Sequence, residues 1–151
     1  PIDVRFGQQQ YVYLTVTVGR NPTYREAIVE KAIKEALGVT GDEGNGVDGS
    51  RGWFSLAQRQ FGQPEYATRI QGVIQNVEGV VWVTVTAFGA FEPGEDALTL
   101  VAPTDGNLAE VVPATATSSD RAIAPTLLSL HSQHFHATFS VVDVTEVPGH
   151  G

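Results

Sequence analysis

His131, His134 and His136 are the only clustered imidazoles in the chain. In a strand, His134 and His136 point the same way, and metal sites use that spacing. No Asp, Glu or Cys lies within the cluster to complete a ligand set or orient the rings. The plainer expectation is polar residues on the outer face of an edge strand, with His134 and His136 as the candidate ligands behind it. The loop Gly41–Gly49, GDEGNGVDG, is acidic enough to suggest calcium. Glycines occupy its ligand positions and no glutamate closes it, so it fails the EF-hand pattern and is expected as a solvated turn. Its glycines form no phosphate-binding loop either, because no lysine follows and no strand feeds into them.

Acid–base chemistry has equally little to work with. Glu65 and Glu78 flank a helical stretch, and a carboxylate at a helix N-terminus, as Glu65 would be, is kept ionised by the helix dipole and makes a poor general acid. There is no Gly-x-Ser-x-Gly motif and no nucleophile beside a basic partner. The absence of cysteine removes thiolate nucleophiles, disulfides and Cys-based metal sites, and fits a reducing compartment. The expectation is a chain that is not an enzyme, with no catalytic and no cofactor-binding residues and no cofactor.

The elements that would position any site are better defined. Tyr11–Val18 alternates, with Val12, Leu14, Val16 and Val18 on one face and Tyr11, Tyr13, Thr15 and Thr17 on the other, which predicts a strand against a core. A shorter strand is expected at Asp3–Phe6. Asn21-Pro22-Thr23 opens a helix, with Thr23 and Glu26 at capping-box spacing. Tyr24, Ile28, Val29, Ala32, Ile33, Ala36 and Leu37 form its apolar stripe, and Gly38 its stop. Residues 38–52 read as an exposed, mobile loop. Pro64 and Glu65 start a second helix with Tyr66, Ile70, Val73, Ile74 and Val77 inward, ended by Gly79. Val80–Phe88 is a strand with Trp82 and Phe88 on its second face, which suggests that this face is covered as well. A last strand is expected at about Phe135–Val144.

This pattern predicts an α+β fold: a two-layer sandwich in which a small sheet carries two helices on one face, in the order strand, helix, helix, strand. Residues 1–90 form the α/β module. Residues 91–126 form an extended acidic arm or hairpin, and residues 127–151 a closing strand and loose tail. The chain has 151 residues and a net charge of −8, with nine Lys and Arg against seventeen Asp and Glu. Only Arg121 is basic after residue 75, so the negative charge belongs to the second half. That balance disfavours nucleic acid and anionic membranes as partners. No run reaches the roughly 18–20 apolar residues of a membrane span, and no signal peptide pattern opens the chain. The start at Pro1 without methionine reads as part of something longer.

The stretch Trp53–Val85 contains Phe54, Arg59, Phe61-Gly62-Gln63-Pro64, Val77-Glu78-Gly79-Val80 and the alternating Val81–Val85. It resembles the C-terminal region of the baseplate J-like family, the baseplate assembly proteins of contractile phage tails and related contractile injection systems. The strand and helix upstream and the late Leu127–Leu130 also follow the family order, while residues 89–121 match weakly. Read physically, Pro64 sets a helix start, Gly62 allows a close approach, and Gly79 reverses helix into strand. Arg59 is placed to bridge carbonyls or a carboxylate, or with Gln63 to touch a partner chain.

The resemblance implies a structural subunit of a baseplate wedge. It would be assembled in the bacterial cytoplasm, join other wedge subunits around the hub and toward the sheath, and do no chemistry. Tyr11, Tyr13, Trp82 and Phe88 are the candidate interface residues. The alternative is a small metal- or small-molecule-binding α+β domain using the His131–His136 segment. A cell-wall hydrolase ranks last.

Overall fold

Alternation along the first secure strand is realised in full. The computed structural model forms β1 from Gln8–Arg20 and buries Val12, Leu14, Val16 and Val18 completely. The structure describes residues 8–55, 64–91, 98, 100, 109, 111, 112 and 126–142. The expected strand at Asp3–Phe6, the motif residues Arg59, Phe61, Gly62 and Gln63, most of the 91–126 segment and the 143–151 tail lie outside the described residues.

After β1 come α1 (Glu26–Leu37), a 3-10 turn at Glu43–Asn45, β2 (Glu65–Tyr66), α2 (Ala67–Gln75), β3 (Val80–Ala90), β4 (Val111–Val112) and β5 (Thr126–Val141). β1 is the central strand of a sheet ordered β3-β1-β5, antiparallel to β3 and parallel to β5. β2 and β4 pair as a short separate ladder. The molecule is a small α+β fold with a three-stranded mixed sheet and two helices.

Val29, Ile33 and Leu37 of α1 and Ile70 and Ile74 of α2 are fully buried with the aliphatic face of β1, and Leu128, Leu130 and Phe135 of β5 join the same cluster. Each such side chain contributes on the order of 1.5–3 kcal/mol. The stripe on α1 is narrower than its spacing predicts, because Ile28 is 59% exposed. The capping box does not form. Arg25 is the N-cap and makes no side-chain cap bond, since the Thr23 N–H is taken by Asn21 Oδ1 at 2.9 Å. Gly38 does end the helix, with φ at 77° and its N–H bonded to the Glu35 carbonyl at 3.2 Å.

Three other expectations are corrected. The second helix begins at Ala67, and Glu65 and Tyr66 pair instead with Val112 and Val111. The 38–52 loop is packed at both ends: Val39 and Val47 are buried, and Trp53 and Phe54 donate backbone bonds to Ala36 and Leu37, both at 2.8 Å. Phe88 does not share a face with Trp82. Thr15 pairs with Ala87 and Val16 with Val85, so Thr86 is an extra residue in β3. A bulge of this kind reverses the alternation beyond it, and Phe88 turns into the core opposite Leu14 with no exposure.

Candidate interaction surface

The sheet face away from the buried aliphatics carries Tyr11, Tyr13, Thr15, Thr17 and Gly19 of β1. Register places Trp82 opposite Gly19 and Gly89 opposite Tyr13. Each ring lies across the glycine it faces: a Cβ on Gly19 would sit 2.2 Å from Trp82 Nε1, and one on Gly89 would sit 2.2 Å from Tyr13 Oη. Strand glycines leave a gap that a cross-strand ring can fill. Tyr13 is also packed on Phe91, ring centroids 5.5 Å apart, and is 8% exposed, whereas Trp82 keeps 38% of its surface in water. Of the expected interface residues, Trp82 is open, Tyr11 half-buried and Tyr13 buried, while Phe88 belongs to the core. Thr84, His136, Thr138 and Ser140 are exposed on the same face as Trp82.

The histidines fall at an irregularity in β5. Val12 pairs with Leu130 and Leu14 with Phe135, so Tyr13 alone faces His131–His134. His131 Nδ1 accepts the Gln133 N–H at 3.0 Å. His134 is 2% exposed, with its ring 4.7 Å from Phe91 and 6.3 Å from His131. His136 stands in register with Thr15 and is exposed. The strand spacing therefore puts His134 and His136 on one face as expected, but one is covered by Phe91 and the other lies in water. Among the described residues, no group of three or more His, Cys, Asp or Glu gathers where it could hold a metal ion.

The described part of the family-like stretch forms corners. Gly79 has φ at 96° and packs on Tyr24 and Val29. Its carbonyl accepts the Asn21 N–H at 2.9 Å, and Tyr24 Oη donates to Glu78 at 2.6 Å, so the turn from α2 into β3 is fastened to the start of α1. The hydrogen bond to Glu78, with a smaller contribution from burial, holds the Tyr24 phenol above its ordinary pKa. Pro64 is half-buried just before β2. Beside it Glu65 is fully buried, and it accepts from the Trp53 indole N–H and from the Tyr66 amide at 2.9 Å. No spacing signal marks this pair. The only hint is a tryptophan and an acid flanking one motif.

The acidic loop is tied down by a cation and not by calcium-type geometry. Lys34 Nζ lies 2.8 Å from Asp42 and 3.4 Å from Glu30, and Asn45 donates to Asp42 at 2.5 Å. The bonds from Lys34 and Asn45 hold the Asp42 carboxyl below its ordinary pKa. Burial pulls the Lys34 ammonium down, but the bonds and charges of Asp42 and Glu30 outweigh it and hold it above its usual value. Asp48 is likewise held low by the Ser50 hydroxyl and amide. Between this loop and the starts of β1 and β5 lies a cleft of about 400 Å³, walled by Val39, Phe54, Leu127 and Ser129 with Asp48 and Ser50 at its side.

The described surface thus carries an open aromatic, Trp82, on a polar sheet face between the β3 and β5 edges. No helix among the described residues is long and apolar enough to cross a membrane. No family model matches this chain, and no curated protein matches it either.

Proposed function

We propose that the chain is a structural subunit of the baseplate wedge of a contractile phage tail or phage-like injection system, acting through protein–protein contacts and without chemistry of its own. The observation that carries it is the Trp53–Val85 stretch, in which the Phe-Gly-Gln-Pro and Val-Glu-Gly-Val pieces stand in the order of the baseplate J-like family. The corners built by Glu78 and Gly79 support it, since they give those residues a structural task that needs no substrate. The exposed Trp82 supports it as well, because interfaces are enriched in such aromatics.

In its finer form the fold is a two-layer sandwich whose helices cover one face and leave the Trp82 face for a neighbour. The partners are other wedge subunits and the hub and sheath-proximal proteins, and the particle is assembled in the bacterial cytoplasm. The His131–His136 reading has no ligand set among the described residues to recommend it.

The test is to raise an antibody against the chain and apply it to particles purified from the source cells, by gold labelling in negative stain and by blotting dissociated particles. Gold at one end of rod-like particles is expected, with the chain present in the blot. Particles whose blot lacks the chain would overturn the proposal.

A further inference from the structure

An edge strand presents a row of unpaired backbone groups, and folded proteins blunt it with charges, prolines, bulges or a covering segment. The sheet has two such edges, β3 and β5. On β3 the Gln75 amide takes the Val81 carbonyl at 3.0 Å, and the Ala109 N–H takes the Phe88 carbonyl at 2.9 Å. The first half of β5 is also occupied, because Thr40 donates to Leu130 O at 3.0 Å and accepts from Ser132 N at 2.8 Å. Along Phe135–Val141, no backbone bond among the described residues reaches the outer side of β5. Phe135–Val141 contains no Lys, Arg, Asp or Glu and no proline.

The ladder decides which groups face outward. Val142 N–H donates to Arg20 O, and Arg20 is in register with Val141. Along a strand, residues that bond to one side alternate with residues that bond to the other, so Thr138 and Ser140 turn their backbone to β1. The N–H and C=O of Phe135, Ala137, Phe139 and Val141 point away from the sheet. Their side chains share the core face, which is incompletely covered there: Ala137 and Phe139 are half-buried and Val141 is 62% exposed. His136, Thr138 and Ser140 are exposed on the other face.

We propose that this edge joins two copies of the chain, β5 to β5, antiparallel about a two-fold axis at Thr138. The pattern selects a second copy as occupant because the segment is complementary to itself. In this register Phe135 faces Val141 and Ala137 faces Phe139, apolar against apolar, while His136 faces Ser140. The outward residues become hydrogen-bonded pairs, and Thr138 meets its own counterpart in a non-hydrogen-bonded pair. The same axis turns α1 antiparallel to its copy. Glu30 and Lys34, 3.4 Å apart beside Phe135–Thr138, then face Lys34 and Glu30 of the other copy. Each copy carries −8, so the global charge opposes association while the edge itself is neutral, and pairing tightens as salt shortens the reach of that repulsion. The inference stands on the strand and not on the baseplate assignment.

The chain has no cysteine, so one introduced thiol reports the contact without background. Facing Cα atoms in a non-hydrogen-bonded antiparallel pair are about 4.5 Å apart, inside the range of about 4.4–6.8 Å that a disulfide spans. The full chain with Thr138→Cys, mildly oxidised, is expected to form a covalent dimer, whereas Thr84→Cys on the outer face of β3 stays monomeric. Light scattering of the unmodified chain is expected to rise from 16.1 kDa toward twice that mass with concentration and salt. Ala137→Pro removes an outward N–H and spares the β1 ladder, so it should weaken dimerisation by about tenfold or more with an unchanged circular dichroism spectrum. Equal cross-linking of the two thiol variants, none at Thr138→Cys, or a constant 16.1 kDa up to about 1 mM would each overturn the proposal.

Discussion

Gly52 and Gly44 look alike in the sequence, both lying in a glycine-rich loop, yet their surroundings are opposite. A Cβ on Gly52 would stand 2.1 Å from Gly38 N and 2.4 Å from the Glu35 carbonyl, both backbone atoms of the α1 terminus, whereas one on Gly44 meets nothing within 4 Å. Backbone cannot step aside as a side chain tip can, so Gly52→Ala must lift the 49–54 turn from the helix. The expected loss is about 3 kcal/mol, at the upper end of overpacking costs. Gly44→Ala is expected to stay within about 0.5 kcal/mol. Denaturant midpoints of the two variants settle it, and equal midpoints would mean that the turn is not held where the structure has it. Glu65 makes a second contrast at this scale. Glu65→Ala strips the acceptor from the Trp53 indole and the Tyr66 amide in a fully buried position, at a cost of about 2 kcal/mol or more, while Glu65→Gln keeps an oxygen there and should cost about half as much. Equal losses in the two variants would show that the accepted bonds are not what Glu65 contributes.

Among the elements, α1 is joined to its following loop by the Lys34–Asp42 pair, and that link has a definite pH dependence. The Asp42 carboxyl is held below its ordinary value of 3.8, first by the Lys34 bond and then by Asn45. A group whose folded pKa is depressed adds stability above its unfolded pKa and loses it as pH falls through the folded one. Lys34 has the opposite sense: its folded value lies above the ordinary 10.5, so its contribution is present below that pH and is lost above it. Asp42→Asn is therefore expected to be less stable than the natural chain between about pH 4 and pH 10, and the gap should close in acid. Thermal melts from neutral pH into acid check it, and a gap that does not narrow as the pH falls below about 4 would rule the pair out as the cause. This link shows what periodicity misses. The strand at Tyr11–Val18 and the helix stripe Val29–Ile33–Leu37 were legible because burial repeats along them at a fixed period. The bulge at Thr86 leaves no mark in composition, so Phe88 could not be told from an outer-face residue. The start of α1 escapes spacing for a related reason: the Asn21 side chain takes the Thr23 N–H, and no spacing rule ranks two local acceptors. At the candidate surface, Trp82 was legible as an outer aromatic, but the covering of Tyr13 and His134 by Phe91 was not, since it depends on how β1, β3 and β5 are brought together.

For the molecule as a whole, the central strand is completed from the far end of the chain. β1 pairs with β5 in parallel, from Gln8 with Thr126 to Arg20 with Val141, so the last described strand is half of the support for the first. Leu127, Leu128, Leu130 and Phe135 are all buried, and Leu128, Leu130 and Phe135 belong to the cluster that holds α1 and α2. Removing them takes away apolar burial on the order of 8 kcal/mol, comparable with the whole stability of about 5–15 kcal/mol expected for a domain. A chain ended at residue 125 is therefore expected to lose cooperative unfolding and amide dispersion altogether, although every residue of β1, both helices and β3 is still present. The same long-range closure sets the rate. Pairing across most of the sequence must close a long loop before it is rewarded, which places refolding of the full chain in the range of milliseconds to seconds and not microseconds. Stopped-flow refolding of the full chain, with amide spectra of the shortened one, tests both. A truncated chain that still melts cooperatively would make β5 an accessory strand, and residues 1–125 would then be a folding unit in their own right.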